Sequence, residues 1–218
     1  MPQGSAIVVG VGPGLGLALA RAFGTAGHPV AMLTRDQAKL DSYAADVAAT
    51  GQDARGYVAD AADPAQLRAA IGTAVADLGA PDVLVYNVGI LRKDAPTGGD
   101  DKAWASVTAA NVLGARVAAD AVLPQFRDGR GSLLFTGGGW ALHPSKEYAS
   151  LSVGKAALRA YVQTLYDELA GTGVHATVVT ITDAVGQGEA KYEPASIAQQ
   201  YVRLEQQPES EWQPELVI

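Results

Sequence analysis

Short apolar runs alternate with helix-patterned segments along this chain, and that alternation restricts the fold more than any single motif. AIVVGV (6–11), HPVAMLT (28–34), ARGYVA (54–59), PDVLVYN (81–87), SLLFTGG (132–138) and GVHATVVTI (173–181) read as strands. Between them lie LGLALARAFGTAG (15–27), DQAKLDSYAADVAATG (36–51), PAQLRAAIGTAVADLG (64–79), a long segment from Asp101 to Arg127, and another from Tyr148 to Ala170. These carry the 3.6-residue spacing of helices. Gly51 suits a helix C-cap, and Asp63-Pro64 an N-cap followed by proline at the first helical position. A short helix, SIAQQYVRLEQQ (196–207), and an apolar PELVI follow. Strands apolar on both faces demand cover on both faces, so the expected fold is α/β: one doubly wound parallel sheet, a single domain over 1–218. Such sheets bind ligands at the carboxyl ends of their strands, beside the topological switch point.

Composition removes several function classes. The net charge is −7 and no run of basic residues occurs, which argues against nucleic acid or an anionic membrane as partner. With no cysteine there is no disulfide, thiolate metal site or cysteine nucleophile. Histidines and acids are not clustered at metal spacing, so no metal site is expected. The N-terminal MPQGSAIVVG enters a strand without a basic segment and long apolar stretch, and a cytoplasmic location is expected.

The first strand runs into Gly10-Val-Gly-Pro-Gly14-Leu15-Gly16 and then a helix. Glycines permit a tight turn and close backbone approach to a pyrophosphate, while a helix N-terminus offers amides and a positive dipole end. The second strand ends at Thr34-Arg35-Asp36, where the adenosine ribose is normally read. Arg35 suits a 2′-phosphate, and Asp36 suits the N-cap of the next helix. The expected cofactor is NADP(H), with NAD(H) as the alternative.

The spacing Gly10-x-x-x-Gly14-x-Gly16 resembles the glycine motif of the short-chain dehydrogenase/reductase family, and further matches follow in order along nearly the whole chain. Asp60 matches the acidic residue that contacts the adenine. Asn87-Val88-Gly89 resembles the family's Asn-Asn-Ala-Gly segment, on the adenine side of the cofactor. Asn111 matches the active-site asparagine, and its mid-helix position is a mild misfit for that residue type. Lys155 matches the lysine that holds the nicotinamide ribose and lowers the pKa of a catalytic tyrosine. By the resemblance, Gly10, Gly14, Leu15, Gly16, Thr34, Arg35, Asp60, Asn87, Gly89 and Lys155 would line the cofactor.

The chain departs from the pattern where the family does its chemistry. The position four residues before the lysine, where the tyrosine belongs, is Leu151, and the serine position falls in the triplet Gly137–Gly139. Ile181-Thr182 replaces the Pro-Gly that follows the sixth strand. Three substitutes present themselves: Tyr148, two helical turns before Lys155; Ser152, three residues before it; and His143 in the preceding loop. Packing against Trp140 or at a subunit interface suits Tyr148 better than a place in the cleft, and His143, in a loop before a proline, is expected to be exposed.

Two functions follow as expectations. One is an NADP(H)-dependent oxidoreductase acting on a small carbonyl, imine or activated C=C compound. The other is a dinucleotide-binding protein without redox turnover, serving as sensor or complex partner. The resemblance also implies a homodimer or homotetramer built through the two long helices.

Overall fold

The computed structural model describes residues 3–218. Its strands are β1 (Ser5–Val9), β2 (Val30–Thr34), β3 (Ala54–Val58), β4 (Pro81–Tyr86), β5 (Gly131–Thr136), β6 (Val174–Thr180) and β7 (Glu215–Val217). They form one parallel sheet in the order β3-β2-β1-β4-β5-β6-β7. The first six lie within about two residues of the runs read from the sequence. The seventh is the edge strand formed from PELVI, too short for its period to be read.

The helices are α1 (Leu15–Thr25), α2 (Gln37–Ala48), α3 (Pro64–Leu78), α4 (Asp101–Thr108), α5 (Gly114–Val122), α6 (Ala149–Glu168) and α7 (Pro194–Gln206). Asp36 caps α2 by accepting from the Lys39 amide at 3.2 Å. Asp63 caps α3 by accepting from the amides of Ala65 and Gln66 at 2.9 and 3.1 Å, with Pro64 inside the first turn. The segment expected as one helix from Asp101 to Arg127 is interrupted: a π turn, Ala109–Leu113, joins α4 to α5. A 3-10 turn containing Pro124 ends the run at Gln125, and Phe126 is extended. The other long helix begins at Ala149, with Tyr148 as its flanking cap residue.

Alternate residues of β1 face opposite layers. Ile7 and Val9 join a core with Leu67 and Ile71 of α3, Val117 and Val122 of α5, and Leu158 and Val162 of α6. Ala6 and Val8 join another with Leu19 and Phe23 of α1, Leu40 and Val47 of α2, and Ile197 and Tyr201 of α7. Leu158 and Val162 are fully buried, and each contributes roughly 2 kcal/mol through burial, which fixes α6 against the sheet. The apolar run Asp101–Gln125 is long enough to cross a membrane, but half of it is buried in this core.

Strand order reverses at β1, whose neighbours are β2 on one side and β4 on the other. The cleft opens where the carboxyl ends of these strands diverge.

Candidate functional site: a two-lobed cleft at the switch point

The glycine loop shapes the near wall of the cleft. Gly10 has φ +89°, and a Cβ there would stand 2.7 Å from the Asn87 carbonyl oxygen. Only glycine lets β1 turn there while touching the end of β4. A Cβ on Gly16 would stand 2.7 Å from the Gly10 carbonyl oxygen, so α1 lies directly on the loop. Gly14 is the N-cap of α1, and no side chain caps that helix end.

Two lobes share Asn87, Val88 and Gly89. The first, about 200 Å³, is lined by Gly10, Gly12, Thr34, Arg35, Asp60 and Ala110, among others. Arg35 is exposed at its rim and makes no hydrogen bond or ion pair with another described residue, whereas Asp36 is occupied with Lys39. The second lobe, about 550 Å³, is bounded by Leu15, Gly137–Gly139, Trp140, Leu151, Lys155 and Ile181. Leu91 and the segment from Asp183 to Val185 complete its mouth.

Asn87 pins the strand ends together. Its Nδ2 donates to the Gly10 carbonyl at 3.1 Å, its Oδ1 accepts from the Thr136 hydroxyl at 2.9 Å, and its backbone amide donates to Val9 at 2.8 Å. Thr136 Oγ1 also shares a 2.7 Å hydrogen bond with the fully buried Tyr201 hydroxyl. Burial pushes the Tyr201 phenol well above its ordinary pKa, so it stays protonated. One amide therefore ties β1, β4 and β5, with α7 behind them. Neither Thr136 nor Tyr201 belongs to a local motif; their partnership spans 65 positions and is a product of the sheet.

Lys155 projects from α6 into the second lobe and is 7% exposed. Its Nζ donates to the carbonyls of Val88 and Thr136 at 2.8 and 2.7 Å, the ends of β4 and β5. Burial lowers its pKa to about 8, because the charged form loses water and no carboxylate replaces it. Leu151, one turn earlier, faces the same lobe.

Asn111 is fully buried within the π turn and lines neither lobe. Its Nδ2 donates to the Val107 carbonyl one turn back at 2.9 Å, while Oδ1 has no partner. Gly154 lets α6 press on it: a Cβ there would lie 3.0 Å from Asn111 Cβ. The mid-helix misfit read from the sequence coincides with a real break in helical hydrogen bonding.

None of the three substitutes lines the cleft: Tyr148 takes the packing role that suits it better and His143 the exposed one, while Ser152, the remaining candidate, is turned to backbone. Tyr148 stacks on Trp140, with ring centroids 4.5 Å apart, and is not among the cleft-lining residues. Ser152 is buried, accepting from the Ser145 amide at 3.0 Å and donating to the Tyr148 carbonyl at 2.9 Å. Those bonds hold the loop entering α6, so the hydroxyl is spent on backbone. His143 is exposed and also lies outside the lining. The loop after β4 is anchored by Asp94, which accepts from the amide and hydroxyl of Ser150 at the start of α6.

The short chain dehydrogenase family matches residues 5–187. An uncharacterised oxidoreductase of Staphylococcus saprophyticus is 27% identical over 217 residues, covering 93% of this chain and 91% of that protein. The 2-(S)-hydroxypropyl-CoM dehydrogenase 3 of Xanthobacter autotrophicus is 30% identical over 186 residues, 84% of this chain and 72% of that one. The granaticin polyketide synthase putative ketoacyl reductase 1 of Streptomyces violaceoruber is 36% identical over a shorter match of 107 residues, 49% of this chain and 39% of that one. Among solved structures, a blue fluorescent protein from a metagenomic library in complex with NADPH superposes with a TM-score of 0.86 at 25% identity, covering 99% of this chain and 96% of that one. With the family pattern running through most of its length and the fold matching throughout, the chain belongs to the short-chain dehydrogenase family of oxidoreductases.

Proposed function

We propose that this protein is an NADP(H)-dependent oxidoreductase acting on a small, largely apolar carbonyl, imine or activated C=C compound. The observation that carries the reading is the pairing of two lobes: a glycine-walled one with an unpaired guanidinium at its rim, and an apolar one holding a single buried ammonium. Gly10, Gly14, Leu15 and Gly16 present backbone and a helix N-terminus to a pyrophosphate. Thr34 and Arg35 take the 2′-phosphate side, with Asp36 withdrawn into its capping bond. NAD(H) would leave Arg35 without a role. Asp60 serves the adenine, and Asn87 and Gly89 border the dinucleotide between the lobes. The NADPH complex of the metagenomic relative supports the cofactor assignment.

The nicotinamide, when bound, supplies hydride. Two N–H groups of Lys155 are held by Val88 and Thr136, leaving the third for the ribose hydroxyls. Leu151 and the glycine triplet offer no proton, and Tyr148 and Ser152 are engaged elsewhere. The ammonium of Lys155 is then the nearest protein acid. An ordinary lysine holds its proton too tightly for this work at neutral pH, but one titrating near 8 does not. Asn111 acts behind it as a positioning residue through the π turn that α6 packs on.

A second reading, dinucleotide binding without turnover, is favoured by the absence of any hydroxyl at positions 151 and 137–139. Titration with NADPH and NADH, followed by incubation of 4-deuterated NADPH with a broad carbonyl and imine pool, separates the two. At least tenfold tighter NADPH binding and deuterium in a product are expected. Binding without transfer favours the second reading, and no binding removes both. Exposed Leu113 and Val153, on the faces of the π turn and α6, support assembly into a homodimer or homotetramer through these helices. Sedimentation at micromolar concentration showing only monomer would defeat that.

A further inference from the structure

Six lysines occur in the chain, and Lys155 alone is buried; Lys39, Lys93, Lys102, Lys146 and Lys191 are exposed. Its surroundings in the second lobe are mostly carbon: Leu15, Leu91, Trp140, Leu151, Ile181 and Val185. Among the described residues the only other ionisable group lining that lobe is Asp183, whose carboxylate accepts from the Ala184 amide at 2.7 Å and forms no ion pair with Lys155. Space beside the amine is open because glycines flank it. A Cβ on Gly89 would lie 3.6 Å from Nζ, and one on Gly138 would lie 4.0 Å from Cγ.

The hydrogen bonding suits the neutral amine as well as the ammonium. Both acceptors, the Val88 and Thr136 carbonyls, belong to the strand ends that wall the lobe. A neutral NH₂ group satisfies both with its two N–H bonds and keeps its lone pair. A desolvated lysine with no counter-ion, an available lone pair and an apolar chamber beside it is the environment that activates an amine toward carbonyl compounds.

We propose that, when no dinucleotide fills the cleft, Lys155 Nζ captures apolar aldehydes as a Schiff base, in competition with the cofactor. The lone pair attacks the carbonyl carbon, and one amine proton moves to the oxygen, giving a carbinolamine. The hydroxyl then leaves with the second amine proton as water, and a C=N bond remains. No oxidant or reductant is consumed. Protonation of the imine restores one N–H for a backbone carbonyl. The aldehyde's apolar body occupies the space beside Leu151 and Trp140. Only the competition rests on the dinucleotide reading; the capture itself does not.

The test uses the cofactor-free wild-type chain with benzaldehyde and cyanoborohydride at pH 7.5, and peptide mapping by mass spectrometry to follow all six lysines. The free-amine fraction favours a group titrating near 8 over one at 10.5 by roughly two-hundred-fold at that pH. Allowing for weaker basicity and restricted access, Lys155 should acquire the reduced benzyl adduct at least tenfold faster than any exposed lysine. Glyoxylate, charged and polar, should lose most of that preference. Saturating NADP+ should protect Lys155 and leave the other five unchanged. Labelling of Lys155 no faster than the exposed lysines overturns the proposal, and if NADPH still binds, the cofactor reading survives it. Selective labelling without protection by NADP+ upholds capture and overturns the competition.

Discussion

The ring of Tyr148 lies 14° from parallel with that of Trp140, and Trp140 is the one of the pair that lines the cleft. The phenol is thus a wall support. Tyr148→Phe keeps the stack and should leave NADPH affinity and any turnover within about twofold of wild type; a loss of tenfold or more would return the phenol to the chemistry. Ser152→Ala removes the acceptor of the Ser145 amide and should cost about 1–2 kcal/mol in urea denaturation, with cofactor affinity unchanged.

Leu151→Tyr puts a phenol one helical turn before Lys155, on the face that lines the lobe. Gly138 borders that lobe without a side chain, and the lobe's volume of about 550 Å³ leaves room for the ring. Steady NADPH oxidation with small ketones should rise at least tenfold over wild type. No gain in a variant that still binds NADPH would mean that the proton was never what the site lacked.

Gly10→Ala forces a Cβ to within 2.7 Å of the Asn87 carbonyl oxygen at φ +89°. The expected cost is about 2 kcal/mol of stability, from strain and from displacement of β4. Dinucleotide affinity should fall by more than tenfold, measured by calorimetry on the folded fraction.

Arg35→Ala should weaken NADPH by about tenfold while changing NADH by less than twofold, since the guanidinium is free for a phosphate that only the former carries. Equal losses for both would assign Arg35 to the shared part of the molecule.

Lys155 gives stability an unusual pH dependence. Its folded pKa, about 8, lies below the ordinary 10.5 that the unfolded chain retains. Below pH 8 both states hold the proton, and the full cost of the buried charge is present. Between 8 and 10.5 the folded protein has released it while the unfolded chain still binds it, so stability rises with pH. Relative to Lys155→Met, the wild type should gain up to about 3 kcal/mol across that window, read from paired urea denaturations at pH 7.5 and 10. A difference that does not change with pH would show that the amine titrates normally.

What the sequence made legible was whatever depends on neighbours along the chain. The strand periods, the caps at Asp36 and Asp63, and the glycine turn at Gly10 are local, and each stands within a residue or two of its expected place, whereas α2 stops at Ala48, short of Gly51, and the long helix from Asp101 is broken. The long-range partnerships were not legible. Thr136 carries no signal that it will join Asn87 to Tyr201, and Asp94 none that it will anchor the start of α6. Spacing also misled where a helix boundary shifted. Tyr148 matches the face of Lys155 only if it is helical, and it stands just outside α6 with φ −135° and ψ 49°, which is not helical. Asn111 was visible as an oddity, but its π turn was not, because the change from α to π winding leaves the apolar pattern nearly intact.

The three bonds of Asn87 have a consequence for how anything enters the cleft. Because the floor between the lobes is already held by amide, hydroxyl and carbonyl groups bonded to one another, an incoming ligand has no slack backbone to order there. Most of the entropic penalty of association is thereby confined to the ligand itself and to the outer loops, around Leu91 and Val185. Slow amide exchange should already mark Val9, Asn87 and Thr136 in the empty protein and change little on saturation, while the rim gains whatever protection binding confers.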